Sequence, residues 1–128
     1  MGLTTDRSDP GLKEIRADGQ QAVYLVLSDE ERAKGFVRPV CASYKHLACG
    51  SVTTMGTALA ETYARNPKFY GGTFCCHCGS HFNLGPPWEP AFLWTSDGTP
   101  VGSNAEEALQ FLAEKKQREA EKHKGEGI

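Results

Sequence analysis

Two short segments of this chain repeat one pattern. The first is His46-Leu47-Ala48-Cys49-Gly50 and the second is Cys75-Cys76-His77-Cys78-Gly79. Each sets two metal-ligating side chains three residues apart and follows them with glycine. A tight turn of that length lets both side chains converge on one ion while backbone amides point at the second sulfur. Glycine takes the positive-φ position that a side chain would strain. Two such knuckles supply four ligands, enough for a closed tetrahedral site, so the fold must bring two distant turns face to face.

Thiolate and imidazole donors select Zn2+ over magnesium or calcium. The spacing is His-x2-Cys-x25-Cys-x2-Cys. Cys49, Cys75 and Cys78 are the firm ligands. The fourth position has two candidates. His46 reproduces the two-knuckle symmetry, and His81, three residues past Cys78, is the alternative. Cys76 and His77 sit inside a knuckle and point away from its metal. Cys41 has no partner at metal spacing and reads as a small packing side chain.

The chain has 128 residues, enough for one domain. With 39% apolar residues, a metal staple would supplement a modest core. A formal net charge of −2 argues against strong non-specific affinity for nucleic acid. No apolar run reaches the ~18 residues of a membrane helix, the longest being Ala22 to Leu27. The polar N-terminus lacks a signal-peptide core. A cytoplasmic protein is expected, and five cysteines there point to metal or free thiols.

Residues 1–20 read as a flexible arm, 21–113 as a single zinc-stabilised domain, and 114–128 as a charged helical or frayed tail. Gln21 to Leu27 has the content of a buried strand. Ser28 with Glu31 forms a capping box, and Gly35 closes the short helix that follows. Strands are expected at Ser43–His46, Ser51–Thr53, Lys68–Phe74, His81–Leu84 and Ala91–Thr95. Thr53 or Thr54 is positioned to cap a helix running to Arg65, stopped by Asn66-Pro67. Its buried face is Met55, Ala58, Leu59, Thr62 and Tyr63. Ser103 or Asn104 opens a last helix whose docking stripe is Ala105, Ala108, Leu109 and Leu112, beyond which the helix is charged and solvated, His123 included. Trp88 and Trp94 read as core or loop anchors. The expected fold class is α+β: a small zinc-ribbon-like β-sheet with a helix between the two knuckles and a C-terminal helix.

The paired knuckles resemble those of the zinc-ribbon superfamily, over about residues 43–84. The departures are a histidine for the first cysteine and the intervening helix. The run Thr53-Thr54-Met55-Gly56 through Ala60 to Gly71 and Thr73-Phe74-Cys75 is also similar to that of small uncharacterised bacterial and bacteriophage zinc-binding proteins. That resemblance implies a bacterial or phage origin and brings no activity with it. Zinc ribbons dock protein or nucleic acid, so the superfamily leaves the function open.

Three functions compete. The first is a structural zinc in a protein-interaction module, adaptor or regulatory. The second is a nucleic-acid-binding ribbon that uses the basic-aromatic cluster Arg65, Lys68, Phe69 and Tyr70. The third is a zinc hydrolase or deaminase. Deaminases carry His-x-Glu and Pro-Cys-x-x-Cys. Here Ala48 stands where the glutamate belongs and Phe74 where the proline does, and Cys49 would fill the water's position. A thiol redox role for Cys75 and Cys78 fits poorly, because a strand rather than a helix follows. The reading is therefore a binding protein and not an enzyme, with a protein partner favoured over nucleic acid.

Overall fold

The computed structural model describes residues 2–126, with side chains through residue 120. The far end of the predicted tail, residues 127–128 and the side chain of His123, lies outside the described residues, as does Met1. The fold is α+β, with several short sheets and a C-terminal helix.

The chain opens with β1 (Gly2–Thr4), which pairs in parallel with β2 (Val23–Leu25). Parallel strands need a crossover of a dozen or more residues. Here it contains a 3-10 helix, Pro10–Lys13, capped by Asp9, whose carboxylate accepts from the Gly11 amide at 2.9 Å. Residues 2–20 are thus tied into the fold by a strand and a capped turn, a correction to the flexible arm expected over 1–20 from its polar composition. The pairing is non-local, and composition carries no signal for it.

Half of the expected capping box forms: the Ser28 hydroxyl accepts from the Glu31 amide at 3.2 Å and starts α1 (Asp29–Arg32), while the Glu31 carboxylate pairs with Lys34 and Arg65 instead of reaching back. Arg32 joins α1 to the next helix through an ion pair with Glu61. β3 (Ser43–His46) and β4 (Val52–Thr54) form an antiparallel hairpin, with Tyr44 opposite Thr53. α2 (Thr57–Arg65) follows, and Asn66 caps its C-terminus. The helix starts later than expected. Thr53 and Thr54 are consumed by β4, where the Thr54 hydroxyl meets that of Ser43 at 2.8 Å, and Gly56 takes the N-cap. The buried face of α2 includes Thr62 and Tyr63 as anticipated, and extends to Ala60 and Ala64.

β5 (Gly72–Cys75) and β6 (Ser80–Asn83) form the second hairpin, and β7 (Phe92–Trp94) adds to the free edge of β3. The two knuckles therefore sit on separate sheets, in strand orders β4-β3-β7 and β5-β6, rather than on one. The core lies between them. Tyr44 meets Phe92 and Trp94 edge-on, at 5.5 and 6.1 Å, and Tyr63, Cys75, Leu84 and Val101 complete the cluster. Cys41 packs at its margin, within 3.0 Å of the Ser96 hydroxyl.

The last helix, α3 (Ala105–Glu126), begins with a reciprocal cap. The Asn104 side-chain oxygen Oδ1 accepts from the Glu107 backbone amide at 2.8 Å, and the Glu107 carboxylate accepts from the Asn104 backbone amide at 2.9 Å. Ala108 is buried and Phe111 half-buried, while Leu109 is 70% exposed and Leu112 is exposed too. The docking stripe is thus Ala108 with Phe111, not the expected line through Ala105, Leu109 and Leu112. Apolar residues flank this first stretch on two faces, and only contact with the core distinguishes them.

Candidate metal centre

β3 delivers the first ligand. Side chains on a strand alternate between faces, so Tyr44 and His46 turn into the core while Lys45 turns out. The imidazole of His46 is 4% exposed and lies between two rings, Phe92 stacked at 4.7 Å and Phe82 at 4.5 Å. These rings fix its plane and aim Nδ1 at the turn that follows. In that turn the Gly50 amide donates to the His46 carbonyl at 2.7 Å, with Gly50 at φ +76°. The second knuckle closes the same way. The Gly79 amide donates to the Cys75 carbonyl at 2.9 Å, with Gly79 at φ +65°.

The two turns bring His46, Cys49, Cys75 and Cys78 together, and their donor atoms all lie within 4.8 Å of one another. The Cys49 sulfur is 3.4 Å from His46 Nδ1 and 3.5 Å from the Cys75 sulfur, and Cys78 is 3.6 Å from the same Nδ1. A tetrahedral zinc with bonds of about 2.0–2.3 Å needs ligand–ligand edges of roughly 3.5–3.8 Å. Three of the six edges, at 3.4, 3.5 and 3.6 Å, are close to those lengths and the rest stay within 4.8 Å. All five cysteines are free thiols, so no disulfide competes for the sulfurs. The four residues are thus fit to hold one metal ion.

Hydrogen bonds set the sulfurs' charges before any ion arrives. The Ser51 amide points at Cys49 from 3.5 Å and is the main cause that draws its thiol down to about 6, helped by Cys75 and His46. Cys78 moves the other way, up to about 11, because partial desolvation and the neighbouring Cys75 and Cys49 sulfurs oppose a second negative charge. A bound dication would remove that conflict by favouring thiolate at every position.

Bonds between the hairpins hold the halves of the site in register. The Tyr44 hydroxyl donates to the Phe74 carbonyl at 2.5 Å, and the Cys76 amide donates to the Thr53 hydroxyl at 3.0 Å. Sequence reasoning did not find these supports, nor the Phe82–Phe92 clamp on His46. Strand alternation around Phe92 was its one legible trace.

The alternative ligand His81 lies outside the cluster. Its Nε2 is 3.0 Å from the Tyr24 hydroxyl, and burial lowers its pKa below the ordinary histidine value. The cluster Arg65, Lys68, Phe69 and Tyr70 is engaged within the chain. Arg65 faces Glu31 at 3.6 Å, and Lys68 pairs with Glu107. Arg7 sits 5.4 Å above the Phe69 ring, and the Tyr70 hydroxyl donates to the Leu25 carbonyl. Trp94 is core, as expected, whereas Trp88 is 74% exposed. No described helix is long and apolar enough to cross a membrane. No family model, curated protein or solved structure matches the chain.

Proposed function

We propose that the metal is a structural Zn2+, that the paired hairpins are a zinc-ribbon arrangement, and that the domain is a cytoplasmic protein-interaction module without catalytic activity. The observation that carries this reading is the closed donor set. Three sulfurs and one imidazole nitrogen converge, which fills a tetrahedral shell and leaves no position for an activated water. No Asp or Glu belongs to the cluster to move a proton.

The surface supports a protein partner. Leu47, Trp88, Pro90, Leu93 and Phe111 line a shallow groove beside the first knuckle, together with two acidic and two basic side chains, Glu89, Glu119, Lys115 and Arg118. An exposed tryptophan among aliphatic groups has the character of an interaction anchor. By contrast, the basic-aromatic cluster that would bind nucleic acid is occupied by internal partners.

The test is metal content with ligand geometry. The purified chain should carry one zinc, Cys75→Ser should lose it, and cobalt-substituted protein should show a tetrahedral spectrum that added azide leaves unchanged. A spectrum that responds to azide would mean an open position and would restore the enzyme reading. Trp88→Ala should retain zinc and lose co-purifying protein partners. Retention of an RNA or DNA partner through Trp88 and its loss with Lys68→Glu would favour the nucleic-acid reading.

A further inference from the structure

A second feature of the molecule lies where the N-terminal unit meets the two hairpins and α2. There the chain encloses a half-open cavity of about 100 Å³ that takes no part in the metal centre. Tyr44 and Tyr63, almost fully buried, and Phe74 line its interior. Both tyrosine hydroxyls are committed to backbone carbonyls, Tyr44 to Phe74 and Tyr63 to Gly72 at 3.4 Å. What these residues offer an occupant is ring surface.

The rim is polar and has unused capacity. The Gln21 side-chain nitrogen donates to the Leu12 carbonyl at 2.6 Å, which leaves its amide oxygen as an acceptor. The Thr53 hydroxyl accepts from the Cys76 amide, which leaves its own hydrogen to donate. Among the described residues no Asp, Glu, Lys or Arg lines the cavity, and the titratable side chains on its wall are His81 and tyrosines. Burial holds His81 toward its neutral form, so an ion shedding its hydration there would meet no fixed counter-charge, a cost that disfavours charged occupants. The size sets the remaining limit: an apolar cavity of about 150 Å³ encloses a benzene molecule. At about two-thirds of that volume, the space admits at most one six-membered ring, and only because its mouth is open to the polar edge of the occupant.

We infer that this cavity is a binding site for a small neutral aromatic molecule, a single ring carrying a hydroxyl that both donates and accepts at the Gln21–Thr53 rim. Tyr44, Tyr63 and Phe74 pack its faces and edges, and Gln21 with Thr53 orients the hydroxyl. The site joins the N-terminal unit to both hairpins, so it exists only when the whole chain has folded. It rests on different residues from the Trp88 groove and stands whether or not that groove has a partner.

Phenol is the probe. Titrated into the zinc-loaded full chain, it should shift the NMR signals of the Met55 methyl and the Thr53 amide, both at the cavity, and leave those of α3 unmoved. Benzoate, tetramethylammonium and cyclohexanol, which test charge of either sign and loss of aromaticity, should each bind at least ~10-fold more weakly, a difference of about 1.4 kcal/mol. Leu59→Trp, which fills the cavity from α2, should abolish the shifts while zinc content and melting temperature hold. Should that variant not fold, Met55→Trp replaces it with the same expected loss. Equal binding of a charged probe, absence of any cavity shift with phenol, or undiminished phenol binding by a folded, zinc-loaded cavity-filled variant would each overturn the assignment.

Discussion

The two knuckles share a turn geometry and differ in what stands behind them. The first is built into the core. Its hairpin gains a third strand in β7, and His46 is gripped by Phe82 and Phe92. The second projects from a two-stranded hairpin, and Cys76, His77 and Cys78 are all exposed. Its external support comes from the first hairpin, through the Tyr44–Phe74 and Cys76–Thr53 bonds, and from the N-terminal unit, through the Tyr24–His81 hydrogen bond and a close backbone approach of Gly19 to Gly79. One half of the metal centre is therefore preorganised by packing. In the other half Cys75 is buried in the core, but the turn carrying Cys78 is exposed and relies on the ion, on bonds from the first hairpin and on a clamp from the N-terminal unit. Two copies of one motif can thus have different energetic origins.

Metal removal should separate them most sharply. Structural zinc contributes on the order of 10 kcal/mol to the folding of small zinc domains. Chelation should speed amide hydrogen exchange in β5 and β6 well before it does so in β3 and β7. Simultaneous loss of protection in both hairpins would show that the first is no better preorganised than the second. Phe92→Ala should produce the next largest effect. It removes a side chain with no exposed surface and one wall of the His46 clamp. The expected cost is about 3–5 kcal/mol, read from urea unfolding of the zinc-loaded chain, with a matching fall in zinc affinity. Unchanged affinity would mean that the aromatic clamp is irrelevant to the ligand.

A smaller effect should come from Gly19→Ala. A Cβ there would fall 1.9 Å from the Gly79 carbonyl oxygen, and φ is already +90°. A loss of roughly 1–3 kcal/mol is expected, with faster exchange in β1 and β2 while β3 is unaffected. Gly50→Ala, at φ +76° with open space around it, carries only the backbone cost and makes the control. The smallest effect concerns acid. Burial holds the His81 pKa below its unfolded value of 6.5. The unfolded chain therefore binds the proton first, and stability falls as pH drops through that value and on to the folded one. His81→Gln should remove this part of the pH dependence, followed as the Tyr24 ring signals in zinc-loaded protein between pH 7 and pH 5. An unaltered profile would locate the acid sensitivity elsewhere.

What could be read from the sequence was what is encoded locally. The knuckles are five-residue units in which ligand spacing and glycine are both visible, and the structure brings all four expected side chains together. The Ser28 cap was legible for the same reason, since its partner lies three residues away, and the cap of the last helix was narrowed to Ser103 or Asn104, of which the structure uses Asn104. Thr53 and Thr54 misled because threonine serves equally as a helix cap and as a strand residue. Only pairing with Ser43 and Tyr44 decides between them. The choice between His46 and His81 also needed tertiary information. Strand register turns His46 inward, and Tyr24, 57 positions from His81, takes the other imidazole. The parallel pairing of β1 with β2 leaves no pattern in so polar a stretch.

The clamp also has a consequence for the order of events during synthesis. Residues Gly19 and Tyr24 leave the ribosome long before Gly79 and His81, the groups they rest on. The part of the chain made first must wait for the second hairpin to emerge and close. Early in translation β1 and β2 can pair with each other but have nothing to press against. The N-terminal unit can then be seated only after the later-made second hairpin has emerged, and it acts as a latch that records whether the second knuckle has been completed.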